Sequence, residues 1–164
     1  MRGFTEDEYR QRLENAQFLM REQGMNLMLL TSEPEVRYFS GFHTLFWQSP
    51  TRPWFLLIPA YGEPIAVIPG IGEAMMRKTW IKDIRSWSSP QPLDEGVSLL
   101  NKTLLEMVGS KAVIGLTKGH ESIIRMPLQD LERLQAKMPG IHWVNCTPLI
   151  RTLRMVKSDA EIAK

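Results

Sequence analysis

One cysteine, Cys146, occurs in the 164 residues. A lone thiol excludes an internal disulfide, and its apolar surroundings read as those of a small buried residue. No apolar run approaches the ~18 residues that a membrane-spanning helix needs. The N-terminus turns polar and acidic at once, unlike a secretory leader. An excess of one charge is missing too: 20 Lys and Arg face 18 Asp and Glu, for a net charge of +2. Interspersed charge of this kind points to no nucleic-acid partner and no membrane surface. The expectation is a cytoplasmic domain. In that setting the triplets Asn101-Lys102-Thr103 and Asn145-Cys146-Thr147 are chance.

Chemical signatures are also scarce. His43, His120 and His142 share no ligand spacing and read as surface or loop residues. His120-Glu121 begins like H-E-x-x-H, but Ile124 stands where the second histidine belongs. Gly70-Ile71-Gly72 follows a strand and opens a helix, as a dinucleotide turn does, yet Met75 takes the third glycine position. A strand-to-helix turn accounts for those glycines. There is no phosphate loop, no G-x-S-x-G elbow, and no histidine at motif spacing from Cys146. The expectations are no catalytic residue and no metal ligand in this chain.

What is present is a globular pattern, 43% apolar and 23% charged. A chain of this length matches one domain that buries roughly 70% of its unfolded surface. Thr5 and Glu8 form a capping box, with Phe4 and Tyr9 as a hydrophobic staple. Tyr9, Leu13, Ala16 and Met20 then recur at helical spacing up to Gly24. Residues 26–31 are a short apolar run, expected for a strand covered on both faces. Ser32-Glu33-Pro34-Glu35 starts a brief helix. Residues 54–59 and 64–68 are two strands at hairpin spacing, so the sheet cannot be purely parallel.

Further on, the pattern predicts a helix over 72–80, a strand over 83–87 and a helix over 96–108. A strand over 112–116 follows, then a helix opened by Pro127 at its first position, burying Leu128, Leu131 and Leu134. A strand over 142–145 and a short helix from Thr147 to Leu153 complete it. The alternation argues for a three-layer α/β domain, a mixed sheet of about six strands flanked by helices. No internal repeat or low-complexity segment interrupts it. The ten methionines read mostly as core filler.

Two segments stand out. The stretch from Gly41 to Trp54 packs four aromatics, a histidine and an arginine into a loop that Pro50 and Pro53 would stiffen. Such loops often bind ligands. His43, Phe46, Trp47 and Arg52 are the candidate binding residues, because a guanidinium clamps a carboxylate bidentately and aromatics supply an apolar wall. The same composition also fits a core reading, with Phe42, Phe46 and Trp54 buried and Arg52 solvated. Spacing leaves both open. The second segment is the end. Ser158 and Glu161 form another capping box, and Ile162 would open an apolar stripe. A helix start so close to the last residue reads as a cut just inside a further domain, since helices under ~12 residues are marginal alone.

These pieces resemble the N-terminal domain of the creatinase/prolidase family of pita-bread hydrolases. Residues 24–31 resemble its first strand. Val36-Arg37-Tyr38-Phe39-Ser40-Gly41-Phe42 resembles its xxRYLTGF signature. Residues 52–59 followed by Gly62-Glu63-Pro64 resemble its hairpin, and residues 149–162 resemble its LIxxLRxIKSxxEI junction. The resemblance implies residues 1–153 as an N-terminal domain and 154–164 as the linker and first turn of a C-terminal catalytic domain. It implies a parent hydrolase, foremost an Xaa-Pro dipeptidase, whose catalytic domain holds two divalent metal ions (Mn, Co or Zn) outside this chain. It implies a homodimer in which the loop after Phe42 reaches the partner's active site. Arg52 would there hold the carboxylate of a small peptide or other small carboxylate substrate. A creatinase-like C–N hydrolase and a stand-alone α/β binding module are the alternatives; the Ser158–Glu161 start signal speaks against the module. An oxidoreductase with a degenerate dinucleotide turn is a third, which cofactor titration would test.

Overall fold

The computed structural model describes residues 3–49 and 52–163, so Pro50 of the stiffened loop and Lys164 of the junction lie outside the described residues. Six strands form one mixed sheet: β1 (Leu27–Leu30), β2 (Phe55–Pro59), β3 (Ile65–Pro69), β4 (Asp83–Trp87), β5 (Ala112–Leu116) and β6 (Ile141–Asn145). Their spatial order is β4-β3-β2-β1-β5-β6. The hairpin is present as expected, β2 and β3 pairing antiparallel with Phe55 opposite Val67 and Leu57 opposite Ile65. β1 pairs antiparallel with β2 and parallel with β5, which makes the sheet mixed.

The central strands are apolar throughout because both faces are covered. Alternation along β1 sends Met28 and Leu30 into one core and Leu27 and Leu29 into the other. The first core lies under α1 (Glu6–Glu22), α2 (Glu33–Ser40) and α6 (Thr147–Met155); the second lies under α4 (Val97–Val108) and α5 (Leu128–Lys137). This is the three-layer domain. The edge strands carry the polar residues, Asp83 and Arg85 on β4 and His142 and Asn145 on β6, which discourages edge pairing. No helix among the described residues is long and apolar enough to cross a membrane.

Three local expectations need correction. At the start of α1, Thr5 Oγ1 accepts from Glu8 N at 3.4 Å, but Glu8 turns its carboxylate to Arg12 Nε at 3.0 Å rather than closing the box. A charge-assisted bond wins over a neutral one. The helix expected over 72–80 shrinks to a 3-10 turn, Gly70–Gly72, and one turn of helix, α3 (Glu73–Met76). Trp80 draws the chain out of helical register: its indole is buried and donates to Phe39 O at 2.8 Å. Pro127 sits at the N-cap of α5, and Leu128 is exposed while Leu131 and Leu134 are buried. Starting the helix one residue later turns Leu128 away from the sheet.

Gly72 explains the glycine turn. A Cβ there would lie 2.1 Å from the Trp54 ring, so the glycine serves close packing rather than a phosphate.

Candidate functional site

The 43–53 loop is launched by α2. Ser32 N donates to Glu35 Oε2 at 3.4 Å at its start. It ends at Gly41, φ 71°, where the chain reverses in the left-handed region. A Cβ at Gly41 would also lie 2.3 Å from Tyr9 Oη, so both the backbone and the space demand glycine. Phe42 then drops into the core, its N–H donating to Ser40 Oγ at 3.0 Å.

Thr44 caps a 3-10 turn over Leu45–Gln48, its Oγ1 accepting from Phe46 N at 3.2 Å. That turn divides the loop's aromatics. Trp47 is 7% exposed and packs its ring 6.3 Å from Phe42 and 5.7 Å from the buried Trp54. Phe46, 36% exposed, stacks outside Trp54 at 6.4 Å with planes 16° apart. The core reading therefore holds for Phe42, Trp54 and also Trp47, whereas Phe46 keeps a face in solvent.

One group far away in sequence holds this loop. Arg125 Nη1 donates to Arg52 O at 2.6 Å, and Nη2 donates to Trp47 O at 3.2 Å and to Ser49 O. Its guanidinium lies 5.2 Å from the Trp47 ring centroid, and its own N–H donates to Thr31 Oγ1 at 2.9 Å. Burial lowers its pKa and Glu33 partly offsets this. Glu95 senses the charge of Arg52 but bonds to other residues. It accepts from Trp87 Nε1 at 3.1 Å, Ser89 Oγ at 3.0 Å and Gln91 N at 2.6 Å. Burial pushes its carboxyl up, but these three donors, with the charge of Arg52, outweigh burial and hold it below the usual range. Arg52 itself makes no side-chain hydrogen bond or ion pair among the described residues.

His43 faces elsewhere. It is exposed, with Nδ1 3.9 Å from Glu33 Oε1, and it lines a cleft of about 1300 Å³. That cleft runs from Tyr9 and Arg12 past Arg37 to Lys78 and Arg154. Phe46, Trp47 and Arg52 lie outside it, so of the four candidates only His43 enters the cleft.

At the cleft's edge the chain turns into α7 (Asp159–Ile162), and the expected capping box is formed: Ser158 N donates to Glu161 Oε2 at 3.1 Å and Glu161 N to Ser158 Oγ at 3.2 Å. The start of α7 is fastened to α1 as well. Ser158 Oγ donates to Glu8 Oε1 at 2.8 Å. Arg12 sits between the Phe4 and Tyr38 rings, 4.3 and 4.4 Å from their centroids. Its Nη1 donates to Tyr38 O at 2.9 Å. Its Nη2 lies 3.0 Å from Glu8 and 3.4 Å from Glu161, in charge contact but not aligned as a hydrogen bond. Burial raises the Tyr38 pKa, and Arg12 partly offsets it.

The glycine-capped α2 and the hairpin behind the loop both fall within residues 12–156, which match the Creatinase/Prolidase N-terminal domain. The chain belongs to this family. The creatinase/prolidase N-terminal domain also accounts for its structural neighbours. A prolidase from Thermococcus sibiricus superposes with a TM-score of 0.80 at 18% identity over 98% of this chain and 40% of that one. A dipeptidase from Mycobacterium ulcerans gives 0.71 at 24% identity, again over 98% of this chain and 40% of that one. The N-terminal domain of an X-Pro dipeptidase from Streptococcus pyogenes gives 0.67 at 15% identity, over 87% of this chain and 98% of that one. This chain thus spans 40% of the length of the prolidase and of the M. ulcerans dipeptidase. No curated protein sequence matches it significantly.

Among the described residues, no group of three or more His, Cys, Asp or Glu side chains converges as a metal site would. Cys146 is inert for a physical reason. It is buried, and burial together with the Glu35 charge pushes its thiol up to about 12. A thiol reagent at mildly alkaline pH should leave the folded chain unlabelled and label it once in urea. Prompt stoichiometric labelling of the folded protein would contradict the buried assignment.

Arg125 and Glu95 had no signal in the sequence. Arg125 acts on groups 73 to 78 residues away and lies between strand and helix without periodicity. Only Arg12 has a local cue, the Glu8 spacing four residues earlier, which a solvated ion pair would share.

Proposed function

We propose that this chain is the non-catalytic N-terminal domain of a larger cytoplasmic hydrolase of the Xaa-Pro dipeptidase type, serving dimerisation and substrate capping. One observation carries the reading. The backbone of the loop is tied down at Trp47, Ser49 and Arg52 by a guanidinium from behind, while the guanidinium of Arg52 makes no hydrogen bond or ion pair among the described residues and feels only the charge of Glu95. A cation on a pinned loop is arranged to meet an anion that arrives from outside. Family membership and the 40% coverage of prolidase and dipeptidase chains supply the context.

In this reading the loop covers the active site of the partner subunit in a homodimer. Arg52 holds the free carboxylate of a small peptide through two parallel donors. Phe46 offers an apolar face that displaces water, and Trp47 supports the turn from below. Residues 154–163 lead into the catalytic domain, which would supply the metal-dependent chemistry. The residues present here bind and orient.

The test is Arg52→Ala in the full-length parent. Losing a desolvated charge pair removes at least about 2 kcal/mol of binding, which corresponds to a rise in KM of about thirtyfold. Stability of the 164-residue chain should stay unchanged. A substrate whose carboxylate is replaced by an amide should be processed equally by both enzymes. Wild-type kinetics in the variant would make Arg52 a solvated charge; a fall in the stability of this chain would make it structural.

A further inference from the structure

We infer that Arg125 is a positioning residue that holds the described residues of the loop, 44–49 and 52–53, in a binding-ready shape; this rests on the reading of that loop as a substrate cap. The loop contains a 3-10 turn of four residues, Leu45–Gln48, and neither this turn nor Arg52 belongs to the sheet. Carbonyls drawn against a packed core need donors. Arg125 supplies them to three carbonyls at once, those of Trp47, Ser49 and Arg52, from one planar fork. The face of the same fork lies over the Trp47 ring.

The residue is well placed to act as an anchor. Its backbone N–H is held by the buried Thr31, just beyond β1, so the fork projects from the rigid centre of the sheet. No carboxylate lies within ion-pair distance of it among the described residues, so its donors are not diverted. The geometry is specific to arginine. A lysine ammonium is a compact charge with no plane to stack on Trp47, and it cannot span carbonyls of residues 47, 49 and 52 in fixed directions. Arg125 touches no ligand in this scheme. It acts through Arg52 and Phe46 by removing the entropy that an untethered loop would lose on binding.

The experiment has two parts. In this chain, Arg125→Gln and Arg125→Lys are followed by amide hydrogen exchange. Loop amides at residues 45–49 should exchange about tenfold faster, the equivalent of one lost charge-assisted hydrogen bond. Sheet amides at 56–58 and 65–68 should keep their protection, and lysine should not restore the loop. In the full-length parent, Arg125→Gln should raise KM about tenfold and leave kcat unchanged. The double variant with Arg52→Ala should be no worse than Arg52→Ala alone, because both act on one interaction. Unchanged loop exchange would overturn the assignment, as would equal acceleration in loop and sheet, or full rescue by lysine. A loosened loop with wild-type KM in both single variants would leave Arg125 as the loop's anchor and overturn the capping reading instead.

Discussion

Trp54→Ala should destabilise the domain by about 4 kcal/mol, the largest single effect expected of an aromatic truncation here. Trp54 has no exposed surface and stands at the entry to β2. Its ring lies 5.4 Å from Phe42, 5.7 Å from Trp47 and 6.4 Å from Phe46. Gly72 has no side chain because this ring occupies the space a Cβ would need. Truncation opens a cavity that these groups, packed against the sheet and one another, do not fill. Trp54→Phe should lose much less. The Trp54 indole N–H is buried with no partner among the described residues, and its removal relieves a desolvated donor while keeping most of the ring contacts. Urea unfolding of the two variants measures both. Near-equal losses would show that the indole N–H is paired or that ring volume is not what the site requires.

Arg12→Ala should follow closely, with a loss of about 3 kcal/mol. The Arg12 side chain is 6% exposed, and its carboxylate partners Glu8 and Glu161 are 15% and 17% exposed. Removing the guanidinium leaves two mostly covered carboxylates facing each other and empties the gap between the Phe4 and Tyr38 rings. Arg12→Met keeps the apolar stem and should regain part of the packing but none of the charge. The consequence for α7 is separate. Hydrogen exchange at Glu161 and Ile162 should accelerate in both variants, because Ser158 is held through Glu8, which Arg12 orients. A loss below about 1 kcal/mol would class the cluster with ordinary surface ion pairs.

The layers were legible because periodicity reports burial directly. Residues 27–30 are apolar without alternation, which only a strand covered on both faces requires, and they form the centre of the sheet. The spacing of the two β-rich runs, with Gly62 between them, set the antiparallel hairpin. Ser158 and Glu161 announced α7 through local hydrogen bonds alone. These are short-range rules, and the chain states them in neighbouring residues.

The loop was half legible. Its boundaries followed from Gly41 and Pro53, but composition could not divide its aromatics between inside and outside. That division depends on where the Leu45–Gln48 turn points, and on which carbonyls an arginine from beyond β5 can reach.

By itself, then, the sequence determined the three-layer fold, the hairpin, the buried thiol and the Ser158–Glu161 capping box, because each rests on contacts within a few residues or on a periodic face. Only the tertiary structure decided that Arg12 is a core cation, that Arg125 ties down the loop and that Arg52 stands near Glu95 without an ion pair among the described residues. Those roles come from donors and acceptors tens of residues apart, and a charged side chain reads the same in sequence whether it meets water, a carbonyl or a buried carboxylate.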